Sequence, residues 1–136
     1  MRRPLIIGNW KMNGTIGEAV GFARALAAGL PPVTDRDAAI APPFTALYAL
    51  APELDETAIA LCAQDVHGED RGAFTGEVSA PMLRDVGCRY GLAGHSERRR
   101  IFGETGDDVN RKVKALLRAG LTPVLCVGET LEERDA

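Results

Sequence analysis

Aromatic residues are scarce in this 136-residue chain: one Trp, two Tyr and four Phe, 5 % of the total. Hydrophobic residues still make up 46 %, so the core they form must be aliphatic and alanine-rich. Cysteine is sparse as well. Cys62, Cys88 and Cys126 are odd in number, widely spaced and free of any CxxC pair. That pattern excludes a disulfide framework and suits reduced thiols filling small apolar volumes. With only two histidines, neither a metal cluster nor a nucleophilic triad emerges. Positive charge is not in excess. A formal net charge of −3 argues against a general nucleic-acid binder, which carries a basic face. A small anionic substrate needs only a local positive charge and stays open. No apolar run approaches the roughly 20 residues of a membrane helix, and Leu5-Ile6-Ile7 is too short to serve as a signal peptide. The expectation is a single-domain, cytoplasmic protein with no membrane association.

What is present is an alternation of strands and helices. Strands are predicted over residues 5–10, 38–41, 58–63, 89–93 and 123–127, each a short apolar run. Between them, Thr15 with Glu18 forms a capping box ahead of Ile16, Val20, Ala23, Leu26, Ala27 and Leu30 at helical spacing. A short helix over 45–51 carries Leu47 and Leu50 inward and is closed by Pro52. Ser79 caps a third helix, with Pro81 in its first turn and Gly87 after its end. The fourth covers 107–119, with Val109, Val113, Leu116 and Leu117 as its apolar stripe. Thr130 and Glu133 write another capping box close to Ala136. The segment from Gln64 to about Val78 is a long polar loop, and loops of that length are often functional. Alternation of this kind implies parallel strands with right-handed crossovers. Five such strands do not close a barrel and leave both sheet edges open, so the expectation is the first part of a longer chain.

Two stretches concentrate chemistry. In Gly8-Asn9-Trp10-Lys11-Met12-Asn13-Gly14, strand alternation lets Asn9 and Lys11 point the same way. In Leu92-Ala93-Gly94-His95-Ser96-Glu97-Arg98-Arg99, an apolar strand runs into a glycine and then a histidine where a helix can begin. The positive end of a helix disfavours a second positive charge, so an imidazole there is favoured in its neutral form, able to donate a hydrogen bond. Both stretches follow strand ends, where parallel α/β folds gather their sites. Taken singly, each residue also has a plainer reading. Lys11 could be a solvated charge, Asn9 a turn former, His95 a structural helix-start residue and Glu97 a first-turn acid. Arg98-Arg99-Arg100 could be a solvated patch, and His67 shows no partner in the sequence.

Together the two stretches closely resemble triosephosphate isomerase. So do Ala41-Pro42-Pro43, Ala63-Gln64-Asp65-Val66, Gly72-Ala73-Phe74-Thr75-Gly76-Glu77, Ile101-Phe102-Gly103-Glu104 and Cys126-Val127-Gly128-Glu129, all in register. The resemblance implies the (β/α)8 barrel fold, here its first five strands and four helices, with residues 1–136 as the amino-terminal part of one barrel domain. It implies interconversion of dihydroxyacetone phosphate and glyceraldehyde 3-phosphate, in glycolysis and gluconeogenesis, without cofactor or metal. By position, His95 and Lys11 would be catalytic, Asn9 and Lys11 would bind the phosphorylated triose, and Ser96 and Glu97 would support them. The 64–78 loop would build a homodimer. Phe74 and Thr75 would lie at its tip, and Glu77 and Arg98 would form an ion pair across the interface.

The family's catalytic base, a glutamate before a proline after strand six, has no counterpart here. The flexible lid and the glycine-rich phosphate loops are missing too. A complete barrel runs to about 250 residues. The expectation is therefore an isomerase by family whose 136 residues are inactive alone. The alternative is a non-catalytic half-barrel acting as a binding or assembly module.

Overall fold

A short, near-continuous apolar run gives a strand two apolar faces, and a parallel sheet needs both covered. The computed structural model, which describes residues 1–136, meets that need with eleven elements in chain order. They are β1 (Leu5–Asn9), α1 (Ile16–Gly29), β2 (Asp37–Ala41), α2 (Phe44–Leu54), β3 (Ile59–Ala63), α3 (Ala80–Val86), β4 (Cys88–Ala93), α4 (Ser96–Ile101), α5 (Gly106–Arg118), β5 (Thr122–Leu125) and α6 (Leu131–Asp135). The strands lie side by side in the order β1-β2-β3-β4-β5, and every neighbouring pair is parallel. The sheet curls into half of a (β/α)8 barrel.

Alternation sorts the side chains into two cores. Ile40, Leu61, Ala63 and Ala93 meet Leu47, Leu50, Leu83 and Leu116 from the helices outside the sheet. Ala39, Ala41, Cys62, Tyr90 and Leu92 line the inner face, joined by Leu5, Ile7, Ala60 and Val124. One irregularity keeps the sorting intact. Leu61 pairs with Cys88 but Cys62 pairs with Tyr90. This bulge advances β4 by two residues against one and keeps Tyr90 on the inner face beside Cys62. Gly91 is required by packing, because a β-carbon there would lie 2.5 Å from a Leu116 methyl.

Four expectations are corrected. There are six helices rather than four, because Ser96–Ile101 and Leu131–Asp135 both close helical turns. The helix predicted to stop at Pro52 runs on to Leu54 with Pro52 inside it. Pro52 deprives the Tyr48 carbonyl of a donor, but Tyr48 is exposed and solvent can supply one. The fifth strand ends at Leu125 rather than Val127. Ile16 and Leu117, placed in apolar stripes by periodicity, are 53 % and 59 % exposed, and neither belongs to a buried cluster. No helix is long and apolar enough to cross a membrane.

Candidate active site

The carboxyl ends of β1, β3 and β4 bring Asn9, Lys11, Gln64 and His95 to one rim of the sheet. His95 is the N-cap of α4, and its Nδ1 accepts a hydrogen bond from the Glu97 backbone N–H at 3.1 Å. An imidazole nitrogen that accepts cannot carry a proton. The proton of the neutral ring therefore sits on Nε2, which has no partner within the chain and is free to donate. The ring is largely covered, with 23 % of the side chain exposed.

Lys11 follows β1 with φ of +54°, the only non-glycine residue of the chain in that region. Such a backbone is strained for a residue that carries a Cβ, and it persists only where its surroundings hold it. Here they do so at three points. The Asn9 side chain accepts from the Lys11 N–H at 2.9 Å. Gln64 Nε2 donates to the Lys11 carbonyl at 2.8 Å and to the Ala41 carbonyl at the same distance. The Lys11 ammonium meets Glu97 Oε1 at 2.6 Å. Glu97 Oε2 lies 3.6 Å from His95 Nδ1, so one carboxylate from α4 stands between the ammonium and the imidazole. The hydrogen bond from Lys11 holds the Glu97 carboxyl below the usual range, and the Lys11 charge acts in the same direction. Two of the three ammonium donors stay free for an anionic ligand. Ser96 opens α4 and is exposed.

Beneath α4 lies a cluster of four charges. Lys112 Nζ reaches Asp65 at 2.8 Å and Glu104 at 2.7 Å, and Arg98 Nε reaches the same two carboxylates at 3.1 and 3.0 Å. The Glu104 side chain is only 4 % exposed. Burial alone would raise its pKa, but the hydrogen bonds and charges of Lys112 and Arg98 outweigh burial and hold it below the usual carboxylate range. Glu104 Oε1 also accepts from the Gly94 N–H at 3.1 Å, which ties the cluster to the residue before His95.

The 64–78 loop is held at its base by the bond from His67 N–H to the Val78 carbonyl at 2.9 Å. Its tip is a turn in which the Glu77 N–H reaches the Phe74 carbonyl at 3.1 Å. Thr75 and Glu77 are exposed there. His67 has a partner that sequence did not reveal: its ring stacks on Phe74 with centroids 4.2 Å apart. Glu77 and Arg98 line one cleft of about 430 Å³ together with His67, Phe74 and Phe102. They form no pair within the chain, since Arg98 is held by Asp65 and Glu104.

Sequence reasoning missed Asp65, Gln64 and Lys112 as supports of the site. It also left Arg99, whose guanidinium contacts the strand ends, as a plain surface charge. Gln64, Asp65 and Glu104 lie inside motifs already noted, which was the one available signal. The pairings themselves span 47 and 53 positions of sequence for Asp65 to Lys112 and Gln64 to Lys11.

The model of the triosephosphate isomerase family matches residues 4–136. The triosephosphate isomerase of Herpetosiphon aurantiacus is 54 % identical over 136 residues, which is all of this chain and 54 % of that protein. The triosephosphate isomerase of Chloroflexus aurantiacus is 55 % identical over the same span, again 54 % of its length. The crystal structure of triosephosphate isomerase from Bartonella henselae superimposes with a TM-score of 0.91 at 46 % identity, covering 98 % of this chain and 55 % of that one. The chain thus spans about half the length of the curated relatives it matches. Each of these proteins bears an isomerase name, which does not favour the reading of the chain as a non-catalytic assembly module.

Proposed function

The chain belongs to the triosephosphate isomerase family, and we propose on that premise that it carries the charge-stabilising part of an isomerase site. The reaction is the interconversion of dihydroxyacetone phosphate and glyceraldehyde 3-phosphate through an enediolate. In this reading residues 1–136 are the amino-terminal part of a single barrel domain.

The observation that carries the reading is the convergence of Lys11 and His95 on Glu97. Lys11 offers two free ammonium donors to the substrate phosphate and to the developing enediolate. His95 presents Nε2–H to the substrate carbonyl, where a donor aimed at the forming oxyanion stabilises the transition state more than the ground state. The same nitrogen then passes its proton between the two neighbouring oxygens. Asn9 assists binding from β1, while Ser96 and Glu97 place the ammonium and the imidazole. Glu97 is already committed to Lys11 and does not serve as the base that removes the proton from carbon. That step belongs to a carboxylate outside these residues, so the 136 residues alone turn over no substrate.

The decisive experiment joins residues 1–136 to the carboxyl-terminal half of the Herpetosiphon aurantiacus isomerase and assays the fusion in a preparation free of host isomerase. The fusion isomerises glyceraldehyde 3-phosphate. His95→Gln and Lys11→Ala lower its turnover by about 100-fold or more, while His67→Ala leaves it near the parent value. Equal losses from all three, or turnover by residues 1–136 alone, would overturn the assignment. The working protein is a cytoplasmic homodimer in this reading, with the Phe74–Thr75 tip seated on a second copy. The Glu77 carboxylate of one copy then joins the charges around Arg98 of the other.

A further inference from the structure

Arg99 does more than decorate the surface. Its Nε donates to the Gly94 carbonyl at 2.7 Å and its Nη2 to the Cys126 carbonyl at 3.1 Å. Its own backbone N–H donates to the His95 carbonyl at 3.1 Å. One residue therefore holds both carbonyls that bracket His95. We propose that Arg99 is a positioning residue for His95, setting the peptide from which the imidazole projects by tying the Gly94 and Cys126 carbonyls together.

The need for such a tie follows from Gly94. Its φ is +75°, and glycine is the residue with the most backbone freedom to lose. Left loose, it would let the Gly94–His95 peptide plane turn and carry the imidazole with it. A side chain here is also barred by space: a β-carbon would lie 2.6 Å from Arg99 Nη2 and 3.0 Å from two Val109 methyls. The guanidinium crosses the bare face of Gly94 to reach the residue that follows β5. On the opposite side the Gly94 N–H is held by Glu104 at 3.1 Å. The Cys126 N–H donates to the Ala93 carbonyl at 2.9 Å, so Arg99 anchors Gly94 to a strand end that is itself paired with β4. A guanidinium holds two carbonyls in one fixed planar geometry; an ammonium on a flexible stem imposes no such geometry.

The proposal rests on the isomerase reading for its catalytic meaning, but its test needs no turnover. His95 and His67 are the only two histidines, so ¹⁵N-labelled histidine gives two resolved ring patterns in long-range ¹H–¹⁵N correlation spectra. In the parent chain His95 shows a single tautomer, with Nδ1 as acceptor and Nε2 protonated. In Arg99→Gln the His95 pattern moves toward a mixture of tautomers while His67 keeps its parent shifts. Arg99→Lys, which retains the charge and disturbs folding least, gives a shift in the same direction and of smaller size. An unmoved His95 in both variants, or a change shared equally by His67, overturns the proposal. Loss of the isomerase reading with the His95-specific shift intact leaves Arg99 as the positioning residue of a site for another reaction.

Discussion

Gln64 Nε2 donates to the Lys11 carbonyl at 2.8 Å, and this bond closes over the one non-glycine residue held at positive φ. A loop residue after the third strand therefore pins the strained backbone that delivers the site's ammonium from the first. Strain of this kind costs of order 1–3 kcal/mol and needs surroundings that over-determine it. Gln64→Ala removes the donor that Lys11 and Ala41 share, and stability to urea should fall by about 1–2 kcal/mol. Gln64→Glu keeps the shape but offers no amide donor, and should lose at least as much. In both variants the Lys11 amide resonance moves. An unchanged Lys11 resonance would show that the backbone holds its conformation without Gln64.

The Glu97 carboxyl titrates below its ordinary value, held there first by the Lys11 hydrogen bond. A depressed folded pKa makes the pair's contribution complete above the unfolded value and lost as pH falls through the folded one. Carboxyl ¹³C spectra during acid titration should place Glu97 below the unperturbed glutamates. Lys11→Ala should return it toward the ordinary range. Both partners are well exposed, with 54 % and 34 % of their side chains accessible, so global stability should barely respond to Glu97→Gln. The imidazole of His95 should respond, because its neighbour loses a charge.

Glu104 is the critical member of the buried cluster, since it holds Lys112, Arg98 and the Gly94 N–H together. Glu104→Ala strands two cations with Asp65 as their remaining carboxylate, and should cost about 3–5 kcal/mol in denaturant unfolding. Glu104→Gln keeps an acceptor and should cost less. The folded pKa of Glu104 is depressed, so its stabilisation is present at neutral pH and is lost as pH falls through that lowered value. In Glu104→Gln the acid arm of the stability–pH curve should flatten.

The three thiols should separate by reactivity. Burial pushes Cys62 and Cys88 up to about 12, which leaves almost no thiolate near neutral pH. Cys126 is raised too, chiefly by burial, but the nearby Arg99 charge acts against the shift and the residue is only partly covered. A disulfide-exchange reagent at pH 8 should label Cys126 first in the folded chain. Cys62 and Cys88 should follow orders of magnitude more slowly, on the timescale of opening. Equal native rates for all three would contradict the packing described.

Phe74, at the tip of the 64–78 loop, should matter more for association than for folding. In the fused protein, Phe74→Ala should shift sedimentation toward the monomer, while in residues 1–136 it should leave the free energy of chemical unfolding within about 0.5 kcal/mol, as for an exposed position. Retention of the same sedimentation coefficient at every concentration would exclude this loop as the dimer contact.

The elements of the barrel were legible because their causes are local. Short apolar runs make strands, Thr15 with Glu18 and Thr130 with Glu133 write helix starts, and Gly87 and Gly120 end helices. The short helix after His95 was legible only as a start, because five or six residues carry too little periodicity to mark a body. Pro52 misled for a related reason: a proline costs a helix less where the orphaned carbonyl can reach water, and exposure is not written in the order of residues. The sequence by itself determined which groups the chain brings, Lys11 and His95 after strand ends and Glu97 in the first turn of a helix. Only the tertiary structure decided how they are held. The acceptor role of His95 Nδ1, the grip of Gln64 on Lys11, the four-charge cluster and the fork of Arg99 all join residues through space. Such contacts depend on the register and curl of the sheet, which emerge when all five strands pack at once.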